Sequence, residues 1–214
     1  GAGTSPFATS TNLFWDSGNS RLGIGTSSPV SRLDITNLAT SSVIITLRDP
    51  LGNVSMEMRA GTSTLNNSFV GKDAGISNTT GSQNTALGSG SLYFNTTNFD
   101  NTALGFYSLR NATSRSNTAV GSFALFVNTT GDYNTSLGAS AGLSNDTGSY
   151  NTFVGEESGR GPGAYSGSSN NTFVGYYSGY NITDNSSNNI LLGYKAGDNL
   201  TSGDNNLIIG YDID

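Results

Sequence analysis

The chain has 214 residues, of which 34% are hydrophobic and only 11% charged, with a net charge of −6. It holds no cysteine and no histidine, which removes disulfides, thiolate chemistry and the commonest general base and metal ligand. The acidic balance argues against a nucleic-acid partner, and no apolar run approaches the roughly 18 residues of a membrane span, so no membrane insertion is expected of this segment.

Residues 1–11 are small and polar and read as a linker or fraying end, with Gly1 a cut edge. Leu13, Phe14 and Trp15 then run into the turn-forming cluster Asp16-Ser17-Gly18-Asn19. Leu22-Gly23-Ile24-Gly25-Thr26 comes next and is broken by Ser27-Ser28-Pro29. Ser31–Ile35 alternates polar and apolar, as a half-buried strand does. Val43–Arg48 and Val54–Arg59 flank Asp49-Pro50-Leu51-Gly52-Asn53 and predict a hairpin. A small β-rich module over residues 1–60, separate from residues 61–214, is the expectation, and no helix of ordinary length is visible. The wording Asn19–Thr26, continued by Ser-Ser-Pro and the short strand Arg32-Leu33-Asp34-Ile35, resembles segments of phage tail fibres and related surface fibres. Many such fibres end in an intramolecular chaperone of the endosialidase type. This chain has no chaperone-like segment, which fits a fragment.

Residues 61–214 are organised by one phrase, Asn–x–φ–φ–Gly, with φ usually apolar. It occurs as Asn67–Gly71, Asn84–Gly88, Asn101–Gly105, Asn117–Gly121, Asn134–Gly138, Asn151–Gly155, Asn171–Gly175, Asn189–Gly193 and Asn206–Gly210. Successive glycines are 17, 17, 16, 17, 17, 20, 18 and 17 residues apart. A fixed period of this size marks a solenoid, each repeat one coil on the last. The fold expected is all-β: a parallel β-solenoid (β-roll) of about nine coils after the small β-rich module.

Each position in the repeat has its own chemistry. The residue before the glycine is always aliphatic (Val70, Leu87, Leu104, Val120, Leu137, Val154, Val174, Leu192, Ile209) and shares a strand face with the Thr two places earlier. That face is expected to line the coil. Three after the glycine the first eight repeats carry only Ala or Ser, where a thin coil closes on itself. Asn-Thr-Thr-Gly and its variants mark the return turn. The residue two before the glycine (Phe69, Ala86, Ala103, Ala119, Ser136, Phe153, Phe173, Leu191, Ile208) exchanges volume with the residue four after it: large pairs with Gly, Ala pairs with Leu. Only Ser136/Gly142 departs from the exchange. Close packing conserves volume, so these two positions are read as filling one buried space. With the other face assigned to the coil interior, this stripe is expected at a subunit seam, and homo-oligomerisation supplies burial that one thin coil lacks.

The phrase Asn–x–φ–φ–Gly–x–x–Ser/Ala, as in Asn84–Ser91 and Asn101–Ser108, resembles the head repeat of trimeric autotransporter adhesins of the YadA type. The resemblance covers Asn67–Ala196, with a period longer than the family's and with Ile213 where the ninth repeat should carry Ala or Ser. It implies a left-handed roll, three chains about one axis and exposure on a bacterial surface; similar repeats in phage fibres leave the host structure open.

Function is read as a structural segment of an extracellular trimeric fibre, on a cell surface or virion, that also contributes to adhesion or receptor binding. It is read as a non-enzyme without cofactor or metal, its partners being itself and a host-surface glycan or protein. The nine asparagines Asn67, Asn84, Asn101, Asn117, Asn134, Asn151, Asn171, Asn189 and Asn206 are read as a structural ladder between coils. The sequons such as Asn95-Thr96-Thr97 are attributed to composition. Gly203–Asn206 and Asp212–Asp214 are too short and irregular for a calcium loop, and Glu156-Glu157 is read as a solvated pair. Aromatics gather in repeats two to four and again near the C-terminal end, where stacking at about 4.8 Å should build ladders. The long repeat after Gly155 inserts a loop, and insertions in solenoids often carry binding. Arg160, Tyr165, Tyr176 and Tyr177 are the candidate ligand contacts there. A glycan-cleaving tailspike would need a carboxylate pair in a groove. An ice-binding solenoid would need a flat outward Thr array, whereas the Thr ladder is read as facing inward.

Overall fold

The computed structural model describes residues 13–36, 43–48, 51, 54–60, 65–163 and 166–213. Among them there are fourteen strands and no helix. β1 (Leu13–Asp16), β2 (Arg21–Ile24) and β3 (Leu33–Ile35) form a three-stranded sheet, β1 antiparallel and β3 parallel to β2. The Asp16 carboxylate shapes the β1–β2 turn: it accepts from the Asn19 amide at 2.8 Å and from the main-chain N–H groups of Gly18 and Asn19. These bonds, the Asn19 side chain foremost, hold its carboxyl below the usual carboxylate range.

The second sheet has eleven strands in chain order. β4 (Val43–Arg48) and β5 (Val54–Ala60) form the hairpin, and β5 pairs antiparallel with β6 (Ser68–Val70). Sheet hydrogen bonding therefore runs across the junction between the first module and the repeats. From β6 every step is parallel, through β7 (Thr85–Leu87), β8 (Thr102–Leu104), β9 (Thr118–Val120), β10 (Thr135–Leu137), β11 (Thr152–Val154), β12 (Thr172–Val174), β13 (Ile190–Leu192) and β14 (Leu207–Ile209). Equivalent residues pair: Thr85 with Thr102, Ala86 with Ala103, Leu87 with Leu104, and so on up the stack. The chain is a parallel β-solenoid, nine strands marking eight turns.

Three-residue strands are short, and the corners bind the coils as much as the strands do. Gly105 N donates to Leu87 O, Tyr107 N to Ser89 O, and Leu109 N to Ala124 O, with equivalents in neighbouring coils. The motif glycine sits where no side chain fits. At Gly121 φ is +137°, and a Cβ there would lie 2.3 Å from the Gly138 carbonyl oxygen of the next coil.

The asparagine phrase closes each coil. From Asn67 to Asn189, each Oδ1 accepts the main-chain N–H of the next motif asparagine, at 2.8–3.0 Å in all eight steps. The same side chain's Nδ2 donates to a carbonyl of the return turn: Asn117 to Gly131 O at 2.9 Å, Asn134 to Gly148 O at 2.8 Å. Only a side chain with both a donor and an acceptor at this reach satisfies both groups, and buried main-chain groups need satisfying. Direct amide-to-amide bonds join the last coils, as from Asn206 to Asn189 at 2.8 Å.

The interior reverses the expected facing of the strand. The residue two before the glycine is inside: Phe69, Ala86, Ala103, Ala119, Ser136, Phe153, Phe173 and Leu191 are all buried within the single chain. Phe69, Phe153, Phe173 and Leu191, expected at a subunit seam, are core, and Ile208 packs against that core half-buried. The aliphatic residue before the glycine lies outside with the Thr: Leu137 is 49% exposed, and Leu87, Leu192 and Ile209 are exposed too. The small residue three after the glycine is buried in the first eight repeats, whereas Ile213 is exposed.

The volume exchange is a property of this interior. A Cβ at Gly75 would lie 2.6 Å from the Phe69 ring, at Gly159 2.4 Å from Phe153, and at Gly179 2.7 Å from Phe173. From Phe153 onward the large side chains also reach the coil before: a Cβ at Gly142 would meet Phe153 at 2.5 Å and Leu125 at 2.9 Å. This explains Ser136/Gly142, because Gly142 makes room for the next coil's phenylalanine. Where the interior residue is Ala, Leu92, Leu109 and Leu125 fill the space, fully buried at φ of +47 to +49°. Leucine in the left-handed region is strained, and the packing it completes holds it there.

Candidate functional site

One long surface is the outer strand face. Its rungs are Ser68/Val70, Thr85/Leu87, Thr102/Leu104, Thr118/Val120, Thr135/Leu137, Thr152/Val154, Thr172/Val174, Ile190/Leu192 and Leu207/Ile209. Every rung is exposed or half-buried, none carries a charge, and the last two are wholly apolar. The register is residue for residue, so Thr stacks on Thr and aliphatic on aliphatic.

The inserted loop lies at another corner. Arg160 is half-buried and engaged: Nη1 donates to the Tyr180 hydroxyl at 2.6 Å, the guanidinium lies 5.5 Å from that ring's centroid, and Nε is 3.9 Å from Glu157 Oε2. Tyr165 lies outside the described residues. The loop is anchored on both neighbouring coils, Gly161 N donating to Tyr180 O and Gly167 N to Thr147 Oγ1. Beside it Tyr176 is exposed and Tyr177 half-buried. Hydrogen bonding to Tyr176, and then to Glu157, raises the Tyr177 phenol above the usual tyrosine range. Of the acidic pair, Glu156 is exposed and Glu157 is half-buried.

The two aromatic groups differ in geometry. Tyr176, Tyr194 and Tyr211 occupy one position in consecutive coils and stack with centroids 5.4 and 4.9 Å apart and planes 12 and 13° from parallel. Tyr177 and Tyr180 extend that run sideways. A second stack, Tyr133 on Tyr150 at 5.1 Å, stands just before the asparagine phrase. The group in coils two to four is no ladder. Even rings at one repeat position meet edge to face, as Tyr107 and Phe123 do at 77°, and so do Phe106 and Phe123 at 84° and Phe123 and Phe126 at 62°. Arg110 sits among them; the alignment of Tyr93, Arg110 and Phe126 at one position of successive repeats is the sequence signal for it.

Among the described residues no group of three or more His, Cys, Asp and Glu side chains is placed to hold a metal ion, and no helix is long and apolar enough to cross a membrane. The fold and its surfaces define a parallel β-solenoid with an uncharged outer strand face and aromatic corners. Compared with known proteins, the chain matches no family model, no curated protein and no solved structure.

Proposed function

We propose that this chain is a non-enzymatic segment of an extracellular fibre, on a cell surface or virion, in which three copies pack along their outer strand faces. The observation that carries the reading is the uncharged Thr/aliphatic face, with Leu87, Leu137, Leu192 and Ile209 exposed in the single chain. Burying each aliphatic is worth up to about 1.5–3 kcal/mol, and a face repeated over nine strands in register offers the same rungs to every copy around a closed symmetry axis. The seam therefore consists of the residues just before the glycines and the Thr ladder. The resemblance to trimeric adhesin heads, carried by Asn84–Ser91 and Asn101–Ser108, supports three chains over two.

The tyrosine corner around Tyr176 and Tyr177 is the proposed adhesive surface toward a host-surface glycan or protein. Arg160 serves it by fixing Tyr180, to which it is hydrogen-bonded. Three copies of a weak contact would add by multivalency. Binding to cells or glycans should fall in Tyr176→Ala and in a variant with the 160–167 loop shortened to the usual period. Undiminished binding in both places the adhesive surface elsewhere.

A second reading is favoured by one observation: the Thr residues of six consecutive rungs, Thr85 to Thr172, stand on the outer face, as ice binding requires. Ile190 and Leu207 at the same position end that array and favour a protein partner. A thermal-hysteresis measurement separates the two, since a buried seam gives none.

A further inference from the structure

Three arginines stand on the coils, and two have acidic partners: Arg115 Nε lies 3.2 Å from Asp132 Oδ2 and Arg160 Nε 3.9 Å from Glu157 Oε2. Arg110 has no carboxylate within ion-pair distance among the described residues. Aromatic rings surround it instead. Its guanidinium carbon is 5.0 Å from the centroids of Tyr93, Phe94 and Tyr107 and 6.0 Å from that of Phe126. Nη1 donates one hydrogen bond, to Asn111 Oδ1 at 3.3 Å, and Nε is buried with no acceptor.

A guanidinium keeps its charge at any working pH and carries five N–H donors in a planar fork. Ring faces steady the cation but supply no lone pairs in the plane of the fork. The cation is thus held in place, partly desolvated, with most of its donors uncommitted. The matched acceptor is a carboxylate, which takes two parallel N–H bonds at once. Phe94, beside the cation, is exposed, and so is Phe106, one ring further out, which stacks on Tyr107 at 3.9 Å. Exposed aromatic rings next to an anion acceptor offer a platform for the apolar face of a sugar ring. A planar anion and a flat C–H face occur together in one residue of an acidic glycan.

We infer that Arg110 and the rings around it bind a carboxylated sugar of an acidic glycan. The guanidinium takes the carboxylate, and Phe94 and Phe106 take the ring. All these residues belong to one chain, so the site depends neither on the trimer nor on the tyrosine corner. The chain's net charge of −6 makes the attraction local to this corner.

The test is titration of the full chain with oligogalacturonate and sialyllactose, against methyl-esterified oligogalacturonate and lactose as uncharged counterparts. The acidic probes should bind more tightly than their counterparts, and less so as salt rises. Arg110→Gln should weaken acidic-probe binding by about tenfold or more, the size of a charged hydrogen-bond pair, down to the level of the uncharged probes. Tyr150→Ala, in the separate Tyr133–Tyr150 stack, should leave it unchanged. Circular dichroism of Arg110→Gln checks the fold. If that variant unfolds, Arg110→Lys carries the test, because lysine keeps the charge and loses the fork; undiminished affinity then overturns the assignment. The inference also fails if neither acidic probe binds, if esterification makes no difference, or if a sulfated oligosaccharide binds more tightly than the carboxylated ones.

Discussion

Placing a phenylalanine at Ala103 tests how the interior is built. Ala103 is fully buried, in register between Ala86 and Ala119. At the equivalent position Phe153 occupies space that a Cβ at Gly159 in its own coil, or at Gly142 in the coil before, would invade. The residues at those two positions around Ala103 are Leu109 and Leu92, both fully buried. Ala103→Phe therefore meets two leucines, and overpacking of this kind costs about 1–3 kcal/mol or more. Leu109→Gly alone removes a buried side chain, at about 2–5 kcal/mol by analogy with large-to-small core changes, partly offset by relief of its left-handed φ of +47°. Combined, the two changes should be less destabilising than their sum by about 1–3 kcal/mol. Adding Leu92→Gly should recover more, because the ring then has the two glycines that Phe153 has. Denaturant unfolding of the singles, the double and the triple supplies the cycle. Additive energies would refute the shared interior space, as would a triple variant no more stable than the double.

Two further outcomes concern the polar and titratable groups. Asn117→Ala leaves the Asn134 N–H without its acceptor, while Gly131 O keeps the Asn128 amide; a loss of about 1–3 kcal/mol for one orphaned buried donor is expected, read from the thermal midpoint. The Tyr177 phenol, raised by its bonds to Tyr176 and Glu157, should ionise after the other tyrosines in a spectroscopic alkaline titration. Its contribution to stability is complete below the ordinary tyrosine pKa and is lost as pH climbs from there through the raised value; Glu157→Gln should bring its ionisation earlier.

Much of this architecture is legible in the repeat. The glycine spacing marks the coils, and the small residue after each glycine marks where the coil closes. The volume exchange between Phe69 and Gly75, or Ala103 and Leu109, marks a shared packed space. Which strand face points inward is harder to read, because alternation groups Thr with Val or Leu and Phe with Ala, and both groups are apolar enough to bury. The exchange held the answer: conserved volume requires a closed space, and the coil interior is the closed space, while Thr with its hydroxyl belongs outside. Spacing brings Tyr107 and Phe123 together in successive coils, but whether they stack or meet edge to face depends on the rings packed around them, which the linear sequence does not show. For Arg110 the lack of an acidic partner depends on where Asp132 and Glu157 fall in three dimensions, and each is beside another arginine.

Molar mass in solution bears most directly on the outer face as a subunit seam. Light scattering at micromolar concentration should give three chains for the parent protein. Leu137→Glu with Leu192→Glu, which places a charge on two exposed rungs and leaves the coil interior untouched, should give one chain with an unchanged circular dichroism spectrum. A parent protein that runs as a monomer, or a double variant that keeps the parent's mass, would contradict the seam.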